Sequence, residues 1–281
     1  MDAHTVMLRQ SKQLTYEAPF LYLFFGNHTA VLLDTGAVAS AEKMPLRRTV
    51  DQLIVEWAQQ NGDDPALHPA VGEHEYRLVV AHTHGHGDHI GGDAQFAGRP
   101  HTTVIGRDLE SVTAFFGFTS WPRQTVMFDL GGRVLEITGN PGHHDAALAI
   151  YDPWTAFLLT GDTVYPGRLY VNDMAAFVES LDALVTIAES HPVSHVMGCH
   201  IEMTTTSRLD YPVGTQYQPD EPPLQMSVEQ LREVRDAAHR VKDQPGVHVF
   251  DDFAIFNGRC VGGMIRQVAR ARMNWLRSLL R

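Results

Sequence analysis

Four histidines and an aspartate fall within eight residues, His82-Thr83-His84-Gly85-His86-Gly87-Asp88-His89. From His84 onward the run reads His-x-His-x-Asp-His, and Ile90-Gly91-Gly92 follows. Imidazole and carboxylate at this density are the donor set of a metal site, because neutral imidazole is the commonest protein ligand for zinc-like ions. A purification tag would have the composition but would lie at a terminus. This run instead follows the apolar residues Tyr76, Leu78, Val79, Val80 and Ala81, which read as a buried strand. A strand running out into a loop can turn His84 and His86 the same way. The next helical turn then offers Asp88 and His89 to a second point a few ångströms off.

Other strands deliver the same chemistry. Val6 to Leu14, Phe20 to Phe25 and Thr29 to Asp34 read as three successive strands turning at Gly26-Asn27-His28. The third ends in Asp34-Thr35-Gly36, where the carboxylate is either a plain turn residue or the group that orients a metal-bound histidine from behind. Arg133 to Thr138 runs into Asn140-Pro141-Gly142-His143-His144-Asp145, a tight turn able to aim one side chain into a site. A hairpin of Ala147 to Tyr151 and Ala156 to Leu159, turning at Asp152-Pro153-Trp154, ends in Thr160-Gly161-Asp162. Val193 to Val196 leads to Met197-Gly198-Cys199-His200. Asp34, His143, Asp162 and His200 thus share a position with the histidine loop, at the tips of strands. Such convergence marks a site assembled along one edge of a sheet.

Helices account for much of the rest. Leu46, Val50, Leu53, Ile54 and Trp57 recur at helical spacing and stop at Asn61-Gly62, before a polar connector from Asp63 to Glu75. Thr102 to Ile105 reads as a strand and Asp108 to Phe116 as a short helix. Phe115, Phe116, Phe118 and Trp121 then form an aromatic patch, either core or a wall of a substrate pocket. Ala175 to Ser190 is an amphipathic helix. Ser227-Val228-Glu229-Gln230 fits a capping box opening another that runs to Lys242, before a hairpin of Val247 to Phe250 and Ala254 to Asn257. The Pro- and Thr-rich stretch 203–225 is an ordinary connector or a substrate-covering loop. The tail 265–281, with five arginines, reads as a basic amphipathic helix docked on the domain or on a partner subunit.

Composition sets the outer limits. The chain has 281 residues, 44% of them hydrophobic and 20% charged, the proportions of a globular protein with a substantial core. A formal charge of −11 argues against a nucleic-acid partner, whose binders carry a basic footprint. Met1-Asp2-Ala3-His4 has neither the basic nor the apolar region of a signal peptide, and no run is apolar enough to span a bilayer. Two cysteines, Cys199 and Cys260, form no disulfide framework, so the cytoplasm is the expected compartment. Cys199, beside His200 in a strand, should point away from it and behave as a small buried apolar residue.

Taken in order, Leu33-Asp34-Thr35-Gly36, Thr83-His84-x-His86-x-Asp88-His89, Pro141-Gly142-His143, Thr160-Gly161-Asp162 and Gly198-Cys199-His200 resemble the metallo-β-lactamase superfamily, over about residues 5 to 200. The resemblance implies an α+β fold, a four-layered αββα sandwich, as a single domain over residues 1–281. It also implies two divalent metal ions, zinc by default, with iron or manganese as alternatives. His84, His86 and His143 would hold one ion and Asp88, His89 and His200 the other, with Asp162 bridging and Asp34 behind a ligand. His144 and His82 fall outside that frame. A bridging carboxylate at Asp162 is the pattern of glyoxalase II-like thioesterases, lactonases and phosphodiesterases rather than of true β-lactamases. The implied activity is hydrolysis of an ester-like bond, a lactone or thioester, in a small molecule by a hydroxide held between the metals. Asp88 would orient that hydroxide, and Tyr165 or Tyr170 would donate to the developing oxyanion. The rivals are a phosphodiesterase or nuclease on the same metals, a β-lactamase, and a mononuclear iron dioxygenase acting on persulfides. Assembly into a homo-oligomer stays open.

Overall fold

A computed structural model describes residues 2–61, 76–258 and 269. The connector at 63–75, Cys260 and, apart from Ala269, the expected C-terminal helix lie outside the described residues. Fourteen strands, five α-helices and a short 3-10 helix (Asp93–Phe96) follow one another among the described residues. Strands β1 (Thr5–Arg9), β2 (Phe20–Phe25) and β3 (Thr29–Leu33) lead to helix α1 (Leu46–Asn61). Then come β4 (Arg77–Ala81), the single turn α2 (Gly87–Ile90), β5 (Thr102–Val104) and α3 (Leu109–Phe116). Strands β6 (Thr125–Asp129), β7 (Val134–Gly139), β8 (Leu148–Asp152), β9 (Phe157–Gly161) and β10 (Arg168–Val171) precede α4 (Met174–Ser190). The described chain closes with β11 (His195–Gly198), β12 (Gln225–Met226), α5 (Val228–Val241), β13 (Gly246–Val249) and β14 (Ala254–Asn257).

Two sheets face each other, one in the order β1-β2-β3-β4-β5 and the other β12-β11-β9-β8-β7-β6. Alternation along the strands sorts the side chains into layers. In the first sheet Leu21, Leu23, Leu32, Leu78 and Val80 face Leu46, Val50, Ile54 and Trp57 of α1. Tyr22, Phe24, Val31, Leu33 and Val79 face the other way, onto Leu135, Ile137, Leu148, Ile150 and Leu159 of the second sheet. The outer face of that sheet, with Ala149, Tyr151, Leu158 and Val196, packs on Phe177, Leu181 and Leu184 of α4 and Leu231 and Val234 of α5. Helix, sheet, sheet and helices make the αββα sandwich expected from the sequence.

Some boundaries differ. The first strand ends at Arg9 rather than Leu14, because Ser11 to Thr15 turn back through bonds from Leu14 N and Thr15 N to Ser11 O. Strand β6 pairs with β7 across Thr125 to Asp129, and β10 with β14 and β13 forms a third, three-stranded sheet. Neither β6 nor β10 is flagged by periodicity, since each is short and carries exposed residues on one side. The capping box at Ser227 is present with both of its bonds.

Between the sheets, at β7, lies a charge. Arg133 is fully buried and donates to Asp152 Oδ1 and Oδ2 at 3.1 and 2.6 Å, to His4 O at 2.6 Å and to Thr5 Oγ1 at 2.8 Å. Its guanidinium thus ties β1 to the β8–β9 turn. Removing one partner of such a pair leaves the other charged and dry, at a cost of about 3–5 kcal/mol. Arg133→Ala should therefore lower the free energy of unfolding, measured by urea titration, by that order, and an unchanged value would contradict the role.

Candidate metal centre

Strands β3 and β4 run parallel, as do β9 and β11, and β7 runs with β9 because both are antiparallel to β8. Their C-terminal ends release Asp34, the histidine loop, His143, Asp162 and His200. Two local features aim these groups. Asp34 sits at φ 68°, a left-handed backbone that a non-glycine residue adopts only when its surroundings hold it there. Gly142, at φ 131°, lets the turn before His143 press on α4, where a Cβ would meet Phe177 Cα at 2.5 Å.

Three ring nitrogens converge. His84 Nε2 and His86 Nδ1 are 2.9 Å apart, His143 Nε2 and His86 Nδ1 2.9 Å, and His143 Nε2 and His84 Nε2 3.2 Å. A second group gathers Asp88, His89, Asp162 and His200, with His200 Nε2 3.3 Å from Asp88 Oδ2 and 3.4 Å from His89 Nε2. Asp162 Oδ2 lies between the groups, 3.5 Å from His89 Nε2, 3.7 Å from His143 Nε2 and 3.9 Å from His84 Nε2. All seven donors expected from the sequence are thus brought together in two clusters that share one carboxylate.

The far side of each ring fixes what faces inward. His89 Nδ1 donates to Asp34 Oδ2 at 2.9 Å, His143 Nδ1 to Tyr170 O at 2.6 Å, and His200 Nδ1 to Glu17 O at 3.1 Å. Thr83 Oγ1 donates to Asp34 Oδ2 at 2.9 Å, so it accepts from His84 Nδ1 at 3.1 Å. With these protons committed outward, neutral imidazoles turn lone pairs toward one another. A proton on His86 could serve one neighbour, but the contact between His84 and His143 has none to share. Asp162 Oδ1 is buried and has no hydrogen-bond partner. Converging lone pairs and an orphaned carboxylate oxygen fit divalent cations, for a tetrahedral ion bonded at about 2.0–2.1 Å spaces its nitrogens roughly 3.3 Å apart.

Charge follows the same division. Burial pushes His84 and His143 below the usual histidine range, keeping them neutral. Burial also opposes charge on His200, but Asp162 and Asp88 outweigh it and push the imidazolium up to about 9. His89 is raised by Asp34 and Asp162 against its own burial. Burial works against the carboxylates too, yet His200 and His89 hold Asp88 and Asp162 below the ordinary carboxylate range. In a cation-free chain, protons on His89 and His200 stand in for the missing positive charge.

Around the centre lies a cleft of ≈ 340 Å³ lined by Glu17, Tyr165, Tyr170, Asn172 and Glu202 beside the clustered donors. The two tyrosines differ. Tyr165 is buried, and its hydroxyl donates to Arg168 O at 2.5 Å, so it is spent. Tyr170 accepts from Arg168 Nε at 3.1 Å, which leaves its own proton for the cleft. Glu17 and Glu202 went unnoticed in the sequence; Glu17 carries no signal there, while Glu202 lies two residues past His200. His82 bonds Asp93 at 2.9 Å and stays outside the clusters, and His144 Nδ1 accepts from Ala146 N at 3.1 Å. Cys199 is buried with Sγ 3.5 Å from Asp34 Oδ2, and burial pushes its thiol up, so it stays protonated. Segment 203–225 is tied down by Arg9 and Lys12 on Glu221 and by Arg168 on Asp210, and does not line the cleft.

A family model described as the metallo-beta-lactamase superfamily matches residues 77–238, more than half of the chain. The chain belongs to that superfamily. It is 30% identical over 123 residues to a hydroxyacylglutathione hydrolase of Synechococcus sp. (strain JA-3-3Ab), covering 40% of this chain and 46% of the relative. It is 31% identical over 123 residues to the enzyme of that name from Pseudomonas savastanoi pv. phaseolicola, covering 41% and 46%. The matches therefore span about half the length of these relatives. An archaeal metallo-beta-lactamase superfamily protein from Sulfolobus tokodaii superposes with a TM-score of 0.51 at 14% identity, covering 98% of each chain. ETHE1 from Myxococcus xanthus superposes at 0.50 and 16% identity, covering 85% of this chain and 90% of that one. At such identities what is shared is the fold.

No helix among the described residues is long and apolar enough to cross a membrane. His200 gives a pH prediction for chelated protein. Its folded value, about 9, lies above the ordinary 6.5, so its contribution to stability is full below pH ~6.5 and is lost as pH rises through about 9. The melting temperature of chelated protein should fall across that window, whereas zinc-saturated protein should hold level; parallel curves would contradict the pairing.

Proposed function

We propose that this chain is a dinuclear metal-dependent hydrolase of an ester-like bond, a thioester or lactone, in a small molecule. The observation that carries the reading is the position of Asp162 between two clusters of metal-ligating side chains. The curated relatives, named for hydrolysis of an acylated glutathione, support the reaction class. His84, His86 and His143 would hold one cation, Asp88, His89 and His200 the other, and Asp162 both. Zinc suits the nitrogen-rich set, although imidazole and carboxylate also take iron or manganese. When bound, such a pair supplies Lewis acidity and makes a water acidic enough to ionise near pH 7.

The chain's own residues do the rest. Asp34 holds His89, Tyr170 O holds His143 and Glu17 O holds His200, so the ligands meet substrate already oriented. Asp88, half-buried at the cleft, accepts a hydrogen bond from the attacking water and fixes its line of approach. The Tyr170 hydroxyl donates to the carbonyl oxygen as negative charge develops there. Water adds across the acyl bond, giving a carboxylic acid and an alcohol or thiol.

One panel tests the class: lactones, thioesters, a nitrophenyl phosphodiester, a cephalosporin, and oxygen uptake with a persulfide. Turnover of thioesters or lactones is expected, and turnover of the phosphodiester or persulfide alone would overturn the reading. Chelation should abolish activity and zinc restore it. His86→Ala should lose measurable turnover with an unchanged circular dichroism spectrum, whereas wild-type activity in that variant would contradict the ligand assignment. Tyr170→Phe should lower kcat by about 10²-fold with little change in KM; a change in KM alone would remove the tyrosine from the reaction.

A further inference from the structure

His143 and Asn172 line two cavities at once, the cleft over the donor clusters and a groove of ≈ 1040 Å³. The groove runs from that shared wall between Trp121-Pro122 and the face of α4 that carries Ala175, Ala176 and Ala183. Leu109 and Pro141 add to the apolar lining. The size and character suit the uncharged arm of a small molecule whose reactive group lies at the metals.

The charges lining the groove have one dominant sign: Asp145, Asp173, Glu179 and Asp182 all face it. The groove's arginine, Arg123, is paired with Glu179 at 3.4 Å. The cation behind the cleft is committed as well. Arg168 donates through Nε to Tyr170, through Nη1 to Asp210 and Tyr211 O, and through Nη2 to Glu202. A carboxylate or phosphate on the substrate's arm would thus lie among four carboxylates of the groove, whose lining arginine is paired with one of them. An apolar arm meets no such repulsion and gains from leaving water.

We infer that the substrate is an uncharged ester, lactone or thioester whose apolar arm lies along α4, and that acyl groups carried on an anionic thiol are poor substrates. This deepens the hydrolase reading and rests on it for the position of the reactive bond. Glutathione, with two free carboxylates, is the informative contrast, because the curated relatives carry its name.

The test uses zinc-loaded protein and one set of straight-chain acyl groups, two to ten carbons long, attached either to a neutral alkyl thiol or to glutathione. For the neutral series kcat/KM should rise two- to fourfold per methylene, the upper end matching full burial at about 0.8 kcal/mol. At equal acyl length the neutral thioester should exceed the glutathione thioester at least tenfold. Ala176→Trp, which fills the groove, should flatten the dependence on length. Ala183→Leu gives a milder version of the same change if the larger ring disturbs α4. Calorimetry with an unreactive alkyl methyl ketone on cation-free protein reads the groove without turnover, with binding expected in wild type and at least tenfold weaker binding in Ala176→Trp. Absence of turnover on every substrate, with ketone binding intact, would sink the hydrolase reading and leave the groove standing. Indifference to chain length, equal or better use of glutathione thioesters, or ketone binding unaffected by Ala176→Trp would overturn the inference.

Discussion

Acceptors that face acceptors are the constraint on which this structure turns. His84, His89, His143 and His200 each give an outward nitrogen to a hydroxyl, a carboxylate or a backbone carbonyl. Each inward nitrogen is then left with a lone pair beside others of its kind and beside Asp88 and Asp162. Buried acceptors without donors are costly, by about 1–3 kcal/mol for each group left unsatisfied. Such an arrangement persists only if positive charge fills it. Protons can supply that charge on the side of His89 and His200, where carboxylates are near. On the side of His84, His86 and His143 burial opposes protonation.

The sandwich is organised to meet this demand. Parallel neighbours in both sheets bring strand C-termini to a common edge, so donors distant in sequence need only short loops to converge. The interior that holds the edge in place is apolar between the sheets and beneath the helices. Its buried ion pair, Arg133 with Asp152, joins β7 to the end of β8 and takes no part in either cavity.

Much of this was legible in the sequence. The donors announce themselves because His and Asp at the tips of apolar strands are rare combinations, and the layers follow from period-two alternation in stretches such as Phe20 to Phe25. The hidden parts depend on partners far away in the chain. Strand β10 exists through pairing with β14, more than eighty residues on, and its own four residues carry no pattern. Tyr165 and Tyr170 look equivalent until Arg168 is placed between them, spending one hydroxyl and freeing the other. The loop 203–225 has the composition of a flap, but Glu221 and Asp210 pin it to cations from other parts of the chain. Pairings of this kind leave no local signature, since each partner alone is an ordinary surface residue.

The account stands or falls on a pair of cations sharing Asp162. Anomalous diffraction above the zinc absorption edge, from crystals grown with excess zinc, addresses that directly. Two peaks are expected, one among His84, His86 and His143 and one among Asp88, His89 and His200, with the Asp162 carboxylate between them. A single peak, or ligand side chains turned away from a common centre, would contradict it.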